Sequence, residues 1–193
     1  MILPFVLLFC VALAFAIRTS DNKMQQRHDA FWDREQEANH TRKKSLSDLE
    51  LIKPDLSILS DLPSDEHIDK LCDNIRDICS NPVANLNYIS NTDLKLAYGS
   101  ANLPYLSECD ANYTHLVQKL SELGAYLFEK GYGKEGSDIL MYNLSIKSDI
   151  TRDFELLYTY FKDTNRTSDL EKLYLYAGSV NPMKKDIIMN KLK

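Results

Sequence analysis

The chain has little redox or metal chemistry to offer. It contains four cysteines in 193 residues, and one of them, Cys10, sits inside an unbroken apolar leader. The other three, Cys72, Cys79 and Cys109, are an odd number, which argues against a fully paired disulfide framework. Cys72 and Cys79 lie in a segment of helical periodicity. Their seven-residue spacing would put the Cα atoms ~10 Å apart, beyond the ~7 Å reach of a bridge. Free thiols in a reducing compartment are the expected state. No C-x-x-C or H-E-x-x-H occurs, and His28, His40, His67 and His115 are scattered, so no metal or cofactor is expected. An excess of positive charge is missing as well. The formal net charge is −5, and no basic stretch is interleaved with aromatics, which argues against a nucleic-acid partner. Nucleophile elbows and catalytic carboxylate constellations are absent, so an enzyme is not expected. What remains is a folding composition, 44% apolar and 26% charged, with only six glycines and six prolines.

Three of those glycines fall in "GYGKEG", Gly131 to Gly136, which spells the G-x-G-x-x-G of dinucleotide-binding loops. That fingerprint must follow a β-strand and open a helix. Here it follows a segment of period near 3.6, rich in Leu, Glu and Lys, and no second βα unit exists. The glycines are therefore expected to serve turn and packing geometry.

Residues 2–17, "ILPFVLLFCVALAFAI", are apolar throughout. As a helix they span ~24 Å, a little less than the ~30 Å hydrocarbon core of a bilayer. No basic residue precedes them, whereas Arg18, Lys23, Arg27 and Arg34 follow. The positive-inside tendency then places the amino end outside and the remainder in the cytoplasm, as an uncleaved single-pass anchor over 1–17. The alternative is an exported protein: Ala14-Phe15-Ala16 has the small-x-small form of a signal-peptide cleavage site. Only in a eukaryotic lumen would the N-x-[ST] matches at Asn39, Asn112, Asn143 and Asn165 be glycosylation acceptors.

A charged juxtamembrane helix is expected over 18–51, because residues 22–51 contain no Gly or Pro and are dense in helix formers. Met24, Phe31 and Ala38 keep a thin heptad spacing in it. Phe31 and Trp32 lie ~21 Å beyond Ile17 along a continuous helix. They either pack on the protein's own helical domain or pair with another copy or another membrane protein. Residues 52–64, bracketed by Pro54 and Pro63, read as an extended strap or linker laid on the domain surface.

From Ser64, a plausible N-cap, the pattern is helical to the end. A stripe of Ile68, Leu71, Cys72, Ile75, Ile78 and Cys79 stops at Asn81-Pro82. A helix starts near Asn91 and breaks around Pro104, giving a helical segment over 92–109. Asp110 then caps the next helix, whose apolar face is Tyr113, Leu116, Val117, Leu120, Leu123, Leu127 and Phe128. Beyond it the sequence matches itself at an offset of 34. Leu123 aligns with Leu157, Leu127 with Phe161, Gly131 with Asn165, Gly136 with Leu170, and Leu140 with Tyr174. Both copies read helix, tight turn, helix, a period used by helical-repeat arrays.

On these residues, with Gly124, Ala177 and Pro182, the chain resembles the tetratricopeptide-repeat family over about 117–182. The resemblance implies a TPR-like α-hairpin solenoid over 65–193, which with the N-terminal transmembrane and juxtamembrane helix read above makes the expected fold all-α. The repeat units are 117–150 and 151–184, and a capping helix over 183–193 turns Ile187, Ile188 and Leu192 inward. Gly124 and Gly136 would let paired helices cross closely, while Gly133 loosens the turn. Bulky Tyr158 and Leu170 depart from the pattern in the second unit. The stretches "FWDREQEANHTRKKSL" and "ISNTDLKLAYGSANL" resemble short anchored proteins of low-GC Gram-positive bacteria that have no assigned activity. The family resemblance also implies a non-enzymatic adaptor that binds a protein or peptide in a small groove lined by each unit's first helix. The groove candidates are Gln118, Ser121, Ala125, Phe128, Arg152, Glu155, Thr159 and Lys162, and Phe31 and Trp32 are candidates for a separate contact or a homo-oligomer. The Lys-x-x-x-Asn carboxylate clamp of the family is absent there.

The two readings of the leader separate by mass. Intact-mass measurement of the native protein should find the apolar segment retained; a mature chain beginning at Ile17 would replace the anchor with an exported form.

Overall fold

The computed structural model describes residues 2–192, with the side chains of 2–7, 10 and 11 outside the description. Among the described residues the secondary structure is helical, apart from one isolated antiparallel bridge between Ile52 and Val83. The helices are α1 (Ile2–His40), α2 (Glu66–Cys79), α3 (Asn91–Tyr98), α4 (Leu103–Glu129), α5 (Gly133–Ser145), α6 (Thr151–Asp163), α7 (Thr167–Ser179) and α8 (Pro182–Lys191). Short 3-10 turns occupy Leu56–Leu59 and Ser100–Asn102. Among the described residues no helix is long and apolar enough to cross a membrane. The chain divides into two compact units, Met1–Asp48 with Tyr88–Pro104, and Leu49–Asn87 with Tyr105–Lys193.

In the first unit, α1 stops at His40 rather than continuing to residue 51. Neither Gly nor Pro ends it; tertiary hydrogen bonds replace the helical ones. The Thr41 carbonyl accepts from the Ser100 N–H (3.2 Å), the Lys44 N–H donates to the Tyr98 carbonyl (2.9 Å), and the Asn102 amide donates to the carbonyls of Lys44 and Tyr98. Gly99 makes this possible. Its φ is +89°, and a Cβ there would fall on the Arg42 carbonyl oxygen and within 2.7 Å of Lys43 Cα. Ala38 and Leu94 are buried beneath the clasp.

The second unit begins with residues 49–62 lying across it. Leu59 is buried, and Ile52, Ile58 and Leu62 pack on the same core as α2 and α4. The α2 N-cap is Asp65, one residue later than expected. Its carboxylate accepts from the N–H groups of His67 (2.8 Å) and Ile68 (3.3 Å) and from the Tyr126 hydroxyl (3.2 Å), which ties the helix start to α4. The expected break at Pro104 and cap at Asp110 are corrected. Pro104 stands in the first turn of α4, where a missing N–H costs nothing, and the helix runs on through Asp110. The Asp110 carboxylate instead accepts from the Leu86 N–H (2.9 Å), holding the 81–87 loop.

The 34-residue spacing is present in the helix boundaries themselves. α4 and α6 end at 129 and 163, α5 and α7 start at 133 and 167, and they end at 145 and 179. The turns repeat too. Gly131 (φ 85°) and Asn165 (φ 56°) are left-handed. In each, that residue's N–H bonds three residues back and the next N–H bonds five back: Gly131 to Phe128 and Tyr132 to Leu127, Asn165 to Lys162 and Arg166 to Phe161. This is the Schellman closure of a helix end. Lys147 (φ 70°) closes α5 in the same way, its N–H on Leu144 and that of Ser148 on Asn143.

Gly124 and Gly136 face each other where α4 crosses α5. A Cβ on Gly136 would lie 3.0 Å from the Gly124 carbonyl oxygen and 3.1 Å from the Phe128 ring, and one on Gly124 would strike the Leu140 side chain. Gly133 does more than loosen its turn: it opens α5 under the Tyr160 ring, 2.6 Å from where a Cβ would stand. α5 divides two apolar clusters. Ile139 joins Ile68, Leu71, Ile75, Leu116, Leu120, Leu123 and Leu127, while Leu140 and Leu144 join Phe154, Leu157, Phe161, Leu173, Ala177 and Ile188. α8 turns Ile188 inward and Leu192, just past its end, is buried too, but Ile187 is 56% exposed, contrary to expectation. Successive helical residues point ~100° apart, and with Ile188 fully buried Ile187 falls toward the solvent side of α8.

Gly99→Ala should destabilise the first unit by ~3 kcal/mol, because it adds a left-handed penalty to a backbone clash. Gly131→Ala, at similar φ but with nothing within 4 Å, should cost only ~1 kcal/mol. Urea unfolding of both variants checks the ranking.

Candidate functional site

The first helices of the two hairpins, α4 and α6, carry the expected groove residues, and the fold separates them into two sets. On α6, Arg152, Thr159 and Lys162 are exposed and Glu155 is half-buried. Arg152 and Glu129 of α4 stand 3.7 Å apart, Glu155 pairs with Lys191 of α8 at 3.1 Å, and the Lys162 ammonium lies 5.2 Å from the centre of the Tyr158 ring. These pairs are solvent-exposed and contribute little to stability, so their charges are available to a partner at small cost. On α4, Gln118 is exposed and Phe128 half-buried, but Ser121 (5% exposed) and Ala125 (3%) are buried. Both therefore belong to the interior and line no groove.

Ser121 is buried because it serves a polar cluster. Its hydroxyl donates to Asp153 Oδ1 of α6, and the Asn143 amide of α5 donates to Asp153 Oδ2 (2.8 Å) and to the Val117 carbonyl (3.0 Å). Asn143 and Asp153 are wholly buried. Burial pushes the Asp153 carboxyl up to about 6, against the pull of the two hydrogen bonds and of Arg152. The Asn143 carbonyl oxygen has no partner. Its complete burial also keeps this N-x-[ST] residue from any modifying enzyme in the folded state.

Gln118 faces a different neighbour from the one expected. With His115, Lys119, Asn74, Asp77 and Ile78 it lines an open surface cavity of about 410 Å³ between α2 and α4. The contributing stretches are some 40 residues apart, and nothing local in either marks the pairing. Phe31 and Trp32 on α1 are each 56% exposed. They meet edge to face at 5.4 Å, and the Trp32 indole donates to His28 Nε2 (2.9 Å) one turn back. Neither residue is buried.

The turn after these aromatics holds the charged part of the first unit's clasp. Glu35 accepts from Lys95 and Thr92 of α3, Arg34 pairs with Asp93, and Lys95 also donates to Asn39 Oδ1 (2.7 Å). The two stretches that share a resemblance in the sequence are thus in contact. The Lys95 and Thr92 hydrogen bonds hold the Glu35 carboxyl below its ordinary value. Among the described residues no group of three or more His, Cys, Asp and Glu could hold a metal ion. Cys72, Cys79 and Cys109 are free, and burial raises all three thiols, which makes them poor nucleophiles.

No family model, curated protein or solved structure matches this chain.

A carboxylate with a depressed folded-state value stabilises the fold above its unfolded-state value, 4.5 for Glu35, and that contribution is lost as pH falls through the folded value. Hydrogen-exchange protection of the α3 amides should therefore decline on acidification below about pH 4.5. Glu35→Gln should lower protection at pH 7 and remove that acid-dependent decline. An unchanged acid profile in the variant would place the dependence elsewhere.

Proposed function

We propose that this chain is a non-enzymatic adaptor, a TPR-like pair of α-hairpins held at a membrane by residues 2–17, which binds a protein or peptide on the cytoplasmic side. The observation that carries the reading is the 34-residue displacement between the ends of α4 and α6, the starts of α5 and α7 and the ends of α5 and α7, together with the repeated Schellman turns. Hairpins stacked at that period present the outer face of each first helix along one line. The face of α6 offers Arg152, Glu155, Thr159 and Lys162, a mixed-charge row suited to an extended segment of alternating charge. Ser121 and Ala125 are buried and Gln118 faces α2, so α4 contributes only the edge of Phe128. A surface this small binds weakly by itself. Confinement to a membrane raises the effective concentration of a co-resident partner and compensates. Sixteen apolar residues are slightly short for a bilayer core; local thinning and the snorkelling of Arg18 accommodate the difference.

Lys162→Glu should leave the fold intact, since that side chain is exposed and its contact is the Tyr158 ring. It should cut proximity labelling of the principal neighbour, expressed from the native locus, by about tenfold, the size of effect that loss of ~1.4 kcal/mol produces. An unaltered labelling pattern would remove α6 as the docking face.

A further inference from the structure

We propose that Ser121, Asn143 and Asp153 form a proton-operated clasp between the first hairpin and α6, which tightens that junction when Asp153 takes up a proton and loosens it when the proton leaves. Each residue comes from a different helix, α4, α5 and α6, and each is at most 5% exposed. The cluster is the polar joint between two otherwise apolar packings.

Its hydrogen-bond inventory suits a neutral acid better than an ion. Asn143 has two amide hydrogens, committed to Val117 and Asp153, and its own oxygen is left without a donor. The carboxylate is thus met by two neutral donors, Ser121 from α4 and Asn143 from α5. The charge that acts on it is Arg152, on its own helix, whose guanidinium lies 3.7 Å from Glu129 of α4. A buried ion held by two neutral hydrogen bonds is poorly compensated.

Protonation removes the charge at the cost of one exchange, in which Ser121 stops donating to the carboxyl and accepts from it. A hydroxyl both donates and accepts, so an acid proton on Asp153 Oδ1 can be given to Ser121 Oγ along the existing line while Asn143 continues to donate to Oδ2. The proton comes from solvent; the Ser121 O–H bond to Oδ1 is broken as the serine hydrogen rotates away, and the bond from the acid to Ser121 Oγ replaces it. Burial raises the folded-state value of Asp153 to about 6 from an ordinary 3.8. The stabilisation is therefore fully present below about 3.8 and is lost as pH rises through about 6.

Hydrogen exchange of the full chain, followed by mass spectrometry from pH 7.5 to 4.5 and corrected for intrinsic rates, tests this. In the native sequence the protection of residues 151–163 should rise by about tenfold per pH unit between roughly pH 6 and pH 4.5. Asp153→Asn, which keeps the shape but cannot ionise, should show no such rise. A rise that persists in Asp153→Asn, or a flat profile in the native sequence, overturns the proposal. Should Asp153→Asn fail to fold, Ser121→Ala decides. Loss of a donor to the ionised form should move the midpoint of the rise to higher pH, and an unmoved midpoint overturns the assignment.

Discussion

Two helices reach backbone contact only where neither interposes a side chain. α4 and α5 do so at Gly124 and Gly136, with a glycine carbonyl oxygen 3.0 Å from where the partner's Cβ would stand. The second unit is arranged around this approach. With α5 seated so close, Leu140 lies over Gly124, and the adjacent Ile139 enters the cluster shared by α2 and α4. Leu140 and Leu144 enter the one shared by α6, α7 and α8. One helix of 13 residues is thereby the common wall of two cores. A methyl group at the crossing would lift that wall from both at once, which is a larger disturbance than the added volume suggests.

The same seating fixes the polar joint. Asn143 is reached by Asp153 of α6 and at the same time bonds the Val117 carbonyl of α4, so its amide measures the separation of three helices. The two units use carboxylates in opposite ways. Glu35 is ionised against a lysine and lowered by it; Asp153 is enclosed by neutral donors and raised. Acid therefore removes a favourable charge from one unit and an unfavourable one from the other.

Much of the second unit was legible in the sequence, because its determinants are local. The α2 stripe, the α4 face and the turns at Gly131 and Asn165 all follow from helical periodicity and left-handed propensity within a few residues. Where the reading went wrong, a distant partner overrode the local signal. α1 ends at His40 since residues 98–102 capture its continuation. Pro104 and Asp110 resemble a break and a cap, yet Asp110 is committed to Leu86, 24 residues earlier. Ser121 occupies a groove position by repeat arithmetic and is buried by an aspartate 32 residues later. Three-helix polar joints have no sequence period, so no pattern could have found this one.

The second hairpin lacks the glycine pair: Tyr158 and Leu170 occupy the equivalent positions, both half-buried. Side chains hold it instead. Arg166, the residue after the left-handed Asn165, places its guanidinium 4.9 Å from the centre of the Phe161 ring. It also donates to Asp169 at 2.7 Å and to Ser137 of α5 at 3.3 Å. One planar cation thus links α6, α7 and the preceding hairpin, a role for which a delocalised fork is better suited than an ammonium. Backbone contact admits almost no adjustment, whereas a stacked, half-exposed cation can slide while keeping its partners. The first hairpin is accordingly closed by backbone contact, and α6 is held to its neighbours by the side-chain joints around Asp153 and Arg166.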